Sequence, residues 1–181
     1  IIHKDDQFTP SIQPVEYDME WVGGDYGLWK KNIHLTGGSG HFGQPGSYLY
    51  RYQLLQNGHG ITSWFSDPFC TQSGPGTLSL FEVDVPNNFN WQDSGFKVPL
   101  INDLVVYELM VEEFNQDFNG VIDRLDYLEG LGINAIELMP ATNTKEFYHW
   151  GYMPTSYFAV EDRYGGRNGL KHLVNECHKR N

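Results

Sequence analysis

The sequence has few cysteines, few basic residues and no long apolar run. Cys70 and Cys177 are its two cysteines and lie far apart, which excludes a disulfide framework or zinc-finger pattern and predicts free thiols. Twelve Lys and Arg stand against 23 Asp and Glu, a net charge of −11. Nucleic acid and an anionic membrane are therefore not expected partners, since both require clustered basic residues. No run of about 18 apolar residues is present, so no membrane-spanning helix is predicted.

Several motifs of catalysis and metal binding are also missing. The sequence has no glycine-rich phosphate loop, no serine nucleophile elbow and no histidine-rich metal motif, so we expect no cofactor and no metal site. Glu161, Asp162 and Asn168 are an alternative calcium site, but their spacing is not that of an EF-hand, and we interpret them as a solvated loop. We expect a soluble protein, either cytoplasmic or exported with its signal removed.

Aromatic residues are abundant instead. They make up 15% of the chain, and many lie in glycine-rich, polar stretches. An exposed aromatic face can stack on the apolar face of a sugar ring, so a neutral polysaccharide is an open partner class. The competing interpretation is that most of these rings form the core of small β-structures.

The first half of the chain is typical of β-structure. Short alternating runs, such as residues 46–55 with Tyr48, Tyr50 and Tyr52 on one face, are separated by clusters of turn-forming residues. This spacing predicts an immunoglobulin-like β-sandwich over residues 1–88. Residues 89–102 are polar and aperiodic, and we interpret them as a connector that packs on a neighbour through Phe89 and Trp91.

The pattern after the connector changes to strand and helix, twice over. Residues 104–111 and 133–140 are apolar runs that predict buried strands, and residues 121–131 and 170–177 have helical spacing. Alternating strands and helices imply parallel strands joined by right-handed crossovers. We therefore predict the first two β/α units of a (β/α)8 TIM barrel over residues 103–181. A closed barrel takes about 250 residues, so we expect the chain to be a piece of a longer protein.

Residues 104–181 resemble the start of the catalytic barrel of glycoside hydrolase family 13, the α-amylase clan. The matching strings are VYEL at 106–109, LDYLEGLGINAIELMP at 125–140, WGYMPTSYFA at 150–159, YGG at 164–166 and LKHLVNECH at 170–178. The front half is similar, more loosely, to the starch-binding-like sandwich of carbohydrate-binding module 48, or isoamylase N-terminal type. Its matching strings are DYGLW at 25–29, GSYLYRY at 46–52, SDP at 66–68 and FNW at 89–91.

The resemblance implies a parent enzyme that hydrolyses or transfers α-glucan linkages with retention, of the α-amylase or branching-enzyme type. Retaining enzymes need two carboxylates about 5 Å apart. The family carries its catalytic carboxylates on the fourth, fifth and seventh strands, so this chain is expected to have no catalytic residue and no activity alone. Glu108 and Glu137 are tempting candidates, but they lie mid-strand, and we interpret them as hydrogen-bonding or ion-pairing groups of the barrel wall.

Tyr152 is the expected sugar-binding residue, because the matching family tyrosine stacks on the sugar at the cleavage point. Trp150 and His149 flank it and are candidates for the same cleft, whereas a loop aromatic that merely packs is the alternative. On the sandwich, Trp29, Trp64 and Trp21 are candidates for glucan stacking or for core.

Starch, glycogen and maltodextrin are thus the expected partners of the parent enzyme, with calcium as the one ion that the resemblance allows in the full-length protein. The alternative function is a non-catalytic glucan-binding or domain-packing module. An incomplete barrel leaves strand edges unpaired, which predicts self-association through that part of the chain.

Overall fold

The computed structural model describes residues 1–25, 27–145 and 150–180. The strands of the first half are short: β1 Ile2–His3, β2 Glu20–Gly23, β3 Leu28–Lys30, β4 Gly46–Tyr50, β5 Leu55–Gln56, β6 His59–Gly60, β7 Ser73–Gly74 and β8 Leu78–Val83. The second half contains strands β9 Val106–Leu109 and β10 Ala135–Leu138, and helices α1 Val111–Asn115, α2 Phe118–Ile122, α3 Leu125–Gly130 and α4 Gly166–His178. Turns of 3₁₀-helix cover Lys4–Asp6, Pro75–Thr77, Ile101–Asp103 and Asp162–Tyr164.

The first half is built on a four-stranded sheet in the order β1-β4-β8-β7. Strands β4 and β8 are its centre and pair antiparallel, with Tyr48 opposite Phe81. Tyr48 and Tyr50 share one face of β4, as expected, since both rings contact Phe81, at 5.4 and 5.7 Å between centroids. Burial does not alternate along the strand, however, because Tyr48 and Leu49 are both buried. The pairs β2–β3 and β5–β6 form separate two-stranded sheets. The described residues therefore form one larger sheet with small hairpins, and the β-sandwich stays a prediction.

Strands β9 and β10 form a parallel pair, as the alternation of strand and helix predicts. Ala135 pairs with Val106 and Leu138 with Leu109, so both strands end at the same edge. The helices pack on this pair around one apolar core, whose buried members are Leu109, Met110, Val111, Phe118, Val121, Leu125, Leu128, Tyr164 and Leu173. Within the described ranges, no helix is long and apolar enough to cross a membrane.

Three sequence expectations for this half are corrected. The predicted strand 104–111 is shorter, because Val111 already begins α1 and the backbone N–H of Phe114 donates to Met110 O. It is also not buried on both faces, since Val105 and Val106 are about half exposed. The single helix over 121–131 is two helices, because Arg124 leaves the helical conformation at ψ 5°.

The connector packs on α4, but mainly through residues other than the two predicted aromatics: the ring of Phe89 lies 6.0 Å from Lys171 Nζ, whereas Trp91 is 45% exposed and packs on Phe89. The ring of Phe96 stacks on His178 at 3.8 Å, and His178 Nδ1 lies 2.7 Å from Asp93 Oδ2. The backbone N–H of Gln92 donates to Asn175 Oδ1 at 2.7 Å. These contacts fix the middle of the connector against the last helix.

The four-stranded sheet is joined to the second half near the loop after β10. Ser73 donates a hydrogen bond to Val160 O at 3.1 Å, and buried Cys70 donates to Ser156 Oγ at 3.1 Å. Arg167 on α4 pairs with Glu82 on β8 at 2.8 Å. The sheet thereby supports the loop that carries the candidate site.

Candidate functional site

Two chain segments meet where the parallel strands end. Helix α1 starts directly after β9, and a long loop follows β10. Trp150 in that loop donates from Nε1 to Glu113 Oε1 of α1 at 2.9 Å. The bond joins the segments that follow the two strands, at the edge where TIM barrels build their active sites.

The backbone at Trp150 has an unusual conformation. Trp150 has a φ of 52°, in the left-handed region that non-glycine residues seldom adopt. Gly151 follows at φ 83°, and a side chain there would collide with the carbonyl oxygen of Pro140. Such strained conformations persist only where the surrounding structure enforces them, and they concentrate at binding sites.

This turn presents aromatic side chains to solvent. Tyr152 is 61% exposed and Trp150 is 49% exposed. An exposed ring with a fixed backbone offers an apolar platform for a sugar face at little cost in side-chain entropy. His149, the third residue expected at this cleft, lies outside the described residues.

A buried polar group holds the base of the loop. Glu161 is fully buried and accepts hydrogen bonds from Thr144 N at 2.9 Å and from Arg163 Nε at 2.7 Å. Arg163 also donates to Thr144 O at 2.9 Å. The expectation of a solvated loop at Glu161 is wrong, because its carboxylate is sequestered by these donors.

The charges in this group shift two pKa values in opposite directions. Burial opposes ionisation of Glu161, but hydrogen bonds from Arg163 and from the Thr144 backbone outweigh it and hold the pKa of Glu161 below its usual value. Burial and the adjacent Glu161 charge raise the pKa of Asp162. Asp162 Oδ1 also accepts from Asn143 Nδ2 at 3.1 Å, which ties it to the same loop.

Further side-chain and backbone contacts also hold the base of this loop. Thr155 donates to Asn143 Oδ1 at 2.7 Å, and Thr144 Oγ1 donates to Met153 O at 2.9 Å. Bridges pair Thr142 with Val160 and Thr144 with Pro154. The chain before the exposed turn is therefore joined to the chain after it at two separate bridges.

Glu108 and Glu137 sit side by side in the register of β9 and β10, and both are exposed. Among the described residues, neither side chain has a hydrogen bond or ion pair. Their predicted role as bonded groups of the barrel wall stays a prediction.

The three tryptophans of the first half are solvent-exposed, which answers the question of core or surface. Trp21 and Trp29 are each 55% exposed, and Trp64 is 48% exposed. Trp21 and Trp29 are paired across β2 and β3, with their rings edge to face at 5.4 Å. Trp64 lies outside the named strands.

Sequence spacing did not predict two of these arrangements. The Glu113–Trp150 bond joins residues 37 positions apart, and no local pattern marks it. The pairing of Glu161 with Arg163 has a weak local signal, an acidic residue two positions before an arginine, which is also common on solvated loops.

Comparison with known proteins agrees with this geometry. The model of the α-amylase catalytic domain matches residues 77–181. The chain belongs to the α-amylase family. The match begins at Thr77, directly before β8, and so precedes the boundary at residue 103 expected from the sequence.

Curated relatives are named as enzymes of trehalose and glucan chemistry. The chain is 37% identical over 132 residues to a malto-oligosyltrehalose trehalohydrolase of Saccharolobus solfataricus, covering 72% of this chain and 22% of that protein. It is 29% identical over 152 residues to a 1,4-alpha-glucan branching enzyme of Methylococcus capsulatus, covering 75% of this chain and 20% of that protein. The chain thus spans about a fifth of the length of these relatives.

A solved structure supports the fold. A putative α-amylase from Salmonella typhimurium superposes with a TM-score of 0.66 over 89% of this chain and 25% of that chain, at 23% identity. The comparison supports the amylase-type TIM-barrel fold for the second half.

Proposed function

We propose that the chain forms the front part of an enzyme that hydrolyses or transfers α-glucan linkages with retention. The carrying observation is the exposed aromatic turn at the carboxyl ends of β9 and β10, with Trp150 bonded to Glu113 at 2.9 Å. Family membership and the names of the relatives support a glucan substrate, such as starch, glycogen or maltodextrin. Both a hydrolase and a transferase are among the relatives, so the proposal covers both reactions.

Tyr152 is the proposed sugar platform of this enzyme. Its ring is 61% exposed beside the strand ends, and a pyranose face stacked there is oriented without a charged contact. Trp150 and His149 are proposed to line the same cleft. Exchanging Tyr152 for Ala removes the platform and leaves the hydrogen bonds of the loop base intact.

The test uses the longer enzyme that contains this chain. Tyr152→Ala is expected to lower kcat/KM for a maltooligosaccharide about tenfold, the upper range for one aromatic contact. Tyr127→Ala is the matched control, because Tyr127 is 55% exposed on α3, away from the strand ends. Equal kcat/KM values for Tyr152→Ala and the wild type would contradict the assignment.

Catalysis itself is proposed to require strands beyond these two. The described residues contain two parallel barrel strands, and the only carboxylates on them, Glu108 and Glu137, are mid-strand. The purified chain is therefore expected to release no reducing sugar from maltodextrin and to form no branches in amylose. Measurable turnover that co-purifies with the chain would contradict this.

A non-catalytic glucan-binding module is the second candidate, and the paired tryptophans favour it. Trp21 and Trp29 present two exposed rings on one small hairpin, which suits stacking on a glucan. We propose that residues 1–88 belong to a sandwich of carbohydrate-binding type, joined by the connector 89–102 to the barrel part at 103–181. Trp64 is the third proposed contact.

A further inference from the structure

Three metal-ligating side chains converge in the first half, away from the glucan site. His3 lies on β1, Asp6 ends the 3₁₀ turn Lys4–Asp6, and His41 precedes β4. Each offers one ligand atom, and these three atoms lie within 4.8 Å of one another. They come from chain segments 35 residues apart, which explains why spacing along the sequence predicted no metal site.

The cluster is buried on one side and open on the other. His3 is 4% exposed and Asp6 is 3% exposed, whereas the side chain of His41 is 55% exposed. An ion bound here would keep a solvent-facing position for water. Three protein ligands with one open position is a common arrangement for zinc.

The present contacts leave one ring nitrogen of His3 without a partner. Asp6 Oδ2 accepts from His41 N at 2.7 Å, and Asp6 Oδ1 lies 2.8 Å from His41 Nδ1. His3 Nδ1 accepts from Asp5 N at 3.3 Å. His3 Nε2 is buried, with no hydrogen-bond partner among the described residues. While Nδ1 accepts from Asp5 N, Nε2 carries the ring proton of neutral His3, and a buried donor without an acceptor is unusual.

The backbone of β4 at Gly46 packs directly against the imidazole of His3. A side chain at Gly46 would collide with His3 Nε2, so only glycine allows this approach of β4 to the ring. The ring of Tyr48 meets His3 edge to face at 4.9 Å. His3 is thereby fixed in place before any ion binds, which lowers the entropic cost of forming a site.

We propose that His3, Asp6 and His41 bind a divalent transition-metal ion of the Zn²⁺ type. Two imidazoles and one carboxylate suit Zn²⁺ and its neighbours, whereas Ca²⁺ and Mg²⁺ prefer oxygen ligands throughout. The ion replaces the proton shared by His41 and Asp6, and the ring proton of His3 moves from Nε2 to Nδ1, which gives up the 3.3 Å bond from Asp5 N. The ion cross-links the amino-terminal strand to the turn before β4, and so stabilises the sheet that supports the loop after β10.

The experiment titrates the EDTA-treated chain with Zn²⁺ by calorimetry and with Co²⁺ by visible absorption. We expect one equivalent of either ion per chain, with the d–d bands of nitrogen-ligated Co²⁺. His41→Ala is expected to weaken Zn²⁺ binding at least about tenfold, since even the loss of an outer-shell partner costs that much. His59→Ala is the control, because His59 is exposed on β6, outside the cluster.

A second control addresses a His–carboxylate pair on α4. His172 Nε2 lies 3.9 Å from Glu176 Oε1 on α4, and His172→Ala is expected to leave the affinity unchanged. His41→Gln keeps a hydrogen-bonding side chain beside Asp6 but removes the imidazole, and it too must lose the ion. Absence of binding by the wild-type chain, or Zn²⁺ affinity that survives both His41 variants, overturns the proposal in favour of a plain His41–Asp6 ion pair.

Discussion

At the scale of single residues, Glu161 connects the two sides of the loop after β10. Its carboxylate accepts hydrogen bonds from Thr144 on one side and from Arg163 on the other. Removing a buried acceptor leaves its donors unpaired, which costs more free energy than the bonds contributed. The exposed turn at Trp150 and Tyr152 depends on this base.

Glu161→Ala is expected to lower the free energy of unfolding by about 2–3 kcal/mol. The buried N–H of Thr144 loses its acceptor, and the guanidinium of Arg163 loses the carboxylate while keeping its bond to Thr144 O. Urea unfolding followed by tryptophan fluorescence measures the change. Glu129→Ala is the control, because the Glu129 side chain is 63% exposed and should shift stability by less than about 0.5 kcal/mol. Equal stabilities of the two variants would contradict the role given to Glu161.

Glu161 is also expected to make the free energy of unfolding depend on pH. The pKa of Glu161 is lowered on folding from the usual 4.5, so its stabilisation is present above pH 4.5 and is lost as pH falls through the folded pKa. The raised pKa of Asp162 acts in the opposite sense, because protonation there relieves the cost of burying its charge. The difference in unfolding free energy between wild type and Glu161→Gln should therefore shrink below pH 4.5. A constant difference down to acid pH would exclude this linkage.

The two thiols are predicted to be unreactive in the folded chain. Cys70 is 4% exposed, and burial raises the pKa of Cys177 to about 11, so about one Cys177 in a thousand is a thiolate at pH 8. Labelling with an aromatic disulfide reagent should be slow in buffer and rapid in denaturant. Fast labelling of Cys177 in buffer would show that α4 does not pack as described.

At the scale of elements, the short helix α2 depends on its amino-terminal cap. Asp117 Oδ1 accepts from Gly120 N at 2.8 Å, and the extended conformation of Asp117 separates α2 from α1. The helix packs Phe118 and Val121 into the core, both fully buried. The cap therefore stabilises the helix that supplies these two side chains to the core of the barrel part.

Asp117→Ala is expected to cost about 1 kcal/mol of stability, the usual value for a lost cap. Asp123→Ala is the matched control, since Asp123 is exposed at the other end of α2. Thermal unfolding by circular dichroism measures both. A Tm for Asp117→Ala equal to that of the control would show that the cap is not needed.

Some of these elements follow from the sequence, and others do not. The parallel pair and α4 were predictable, because continuous apolar runs and helical spacing are set by residues that are adjacent in sequence. The break at Arg124 was not, because Val121, Leu125 and Leu128 face the same core whether or not the helix is continuous. For the candidate site, the family strings suggested Tyr152, Trp150 and His149, and their sugar-binding role stays a prediction. The Trp150–Glu113 and His3–Asp6–His41 arrangements depend on contacts between distant segments.

At the scale of the whole molecule, the parallel pair has uncovered apolar surface. Val105 and Val106 are 51% and 50% exposed, and each strand has one partner among the described residues. Open edges and apolar faces promote pairing with another chain.

The chain is therefore expected to self-associate with rising concentration in sedimentation velocity. Val106→Lys places a charge on the open strand and should shift the population towards monomer, whereas Tyr127→Lys on exposed α3 should not. A wild-type chain that stays monomeric at every concentration would contradict the role of this edge.

The measurement that tests the central claim most directly is migration of the chain in a native gel containing glycogen, beside a gel without it. We expect glycogen to retard the wild-type chain. Tyr152→Ala is expected to weaken this retardation, and Tyr127→Ala is expected to leave it unchanged. Retardation lost in Trp29→Ala or Trp64→Ala, but kept in Tyr152→Ala, would assign the glucan contact to the first half. Migration of the wild-type chain unaffected by glycogen would contradict glucan recognition by the exposed aromatic turn.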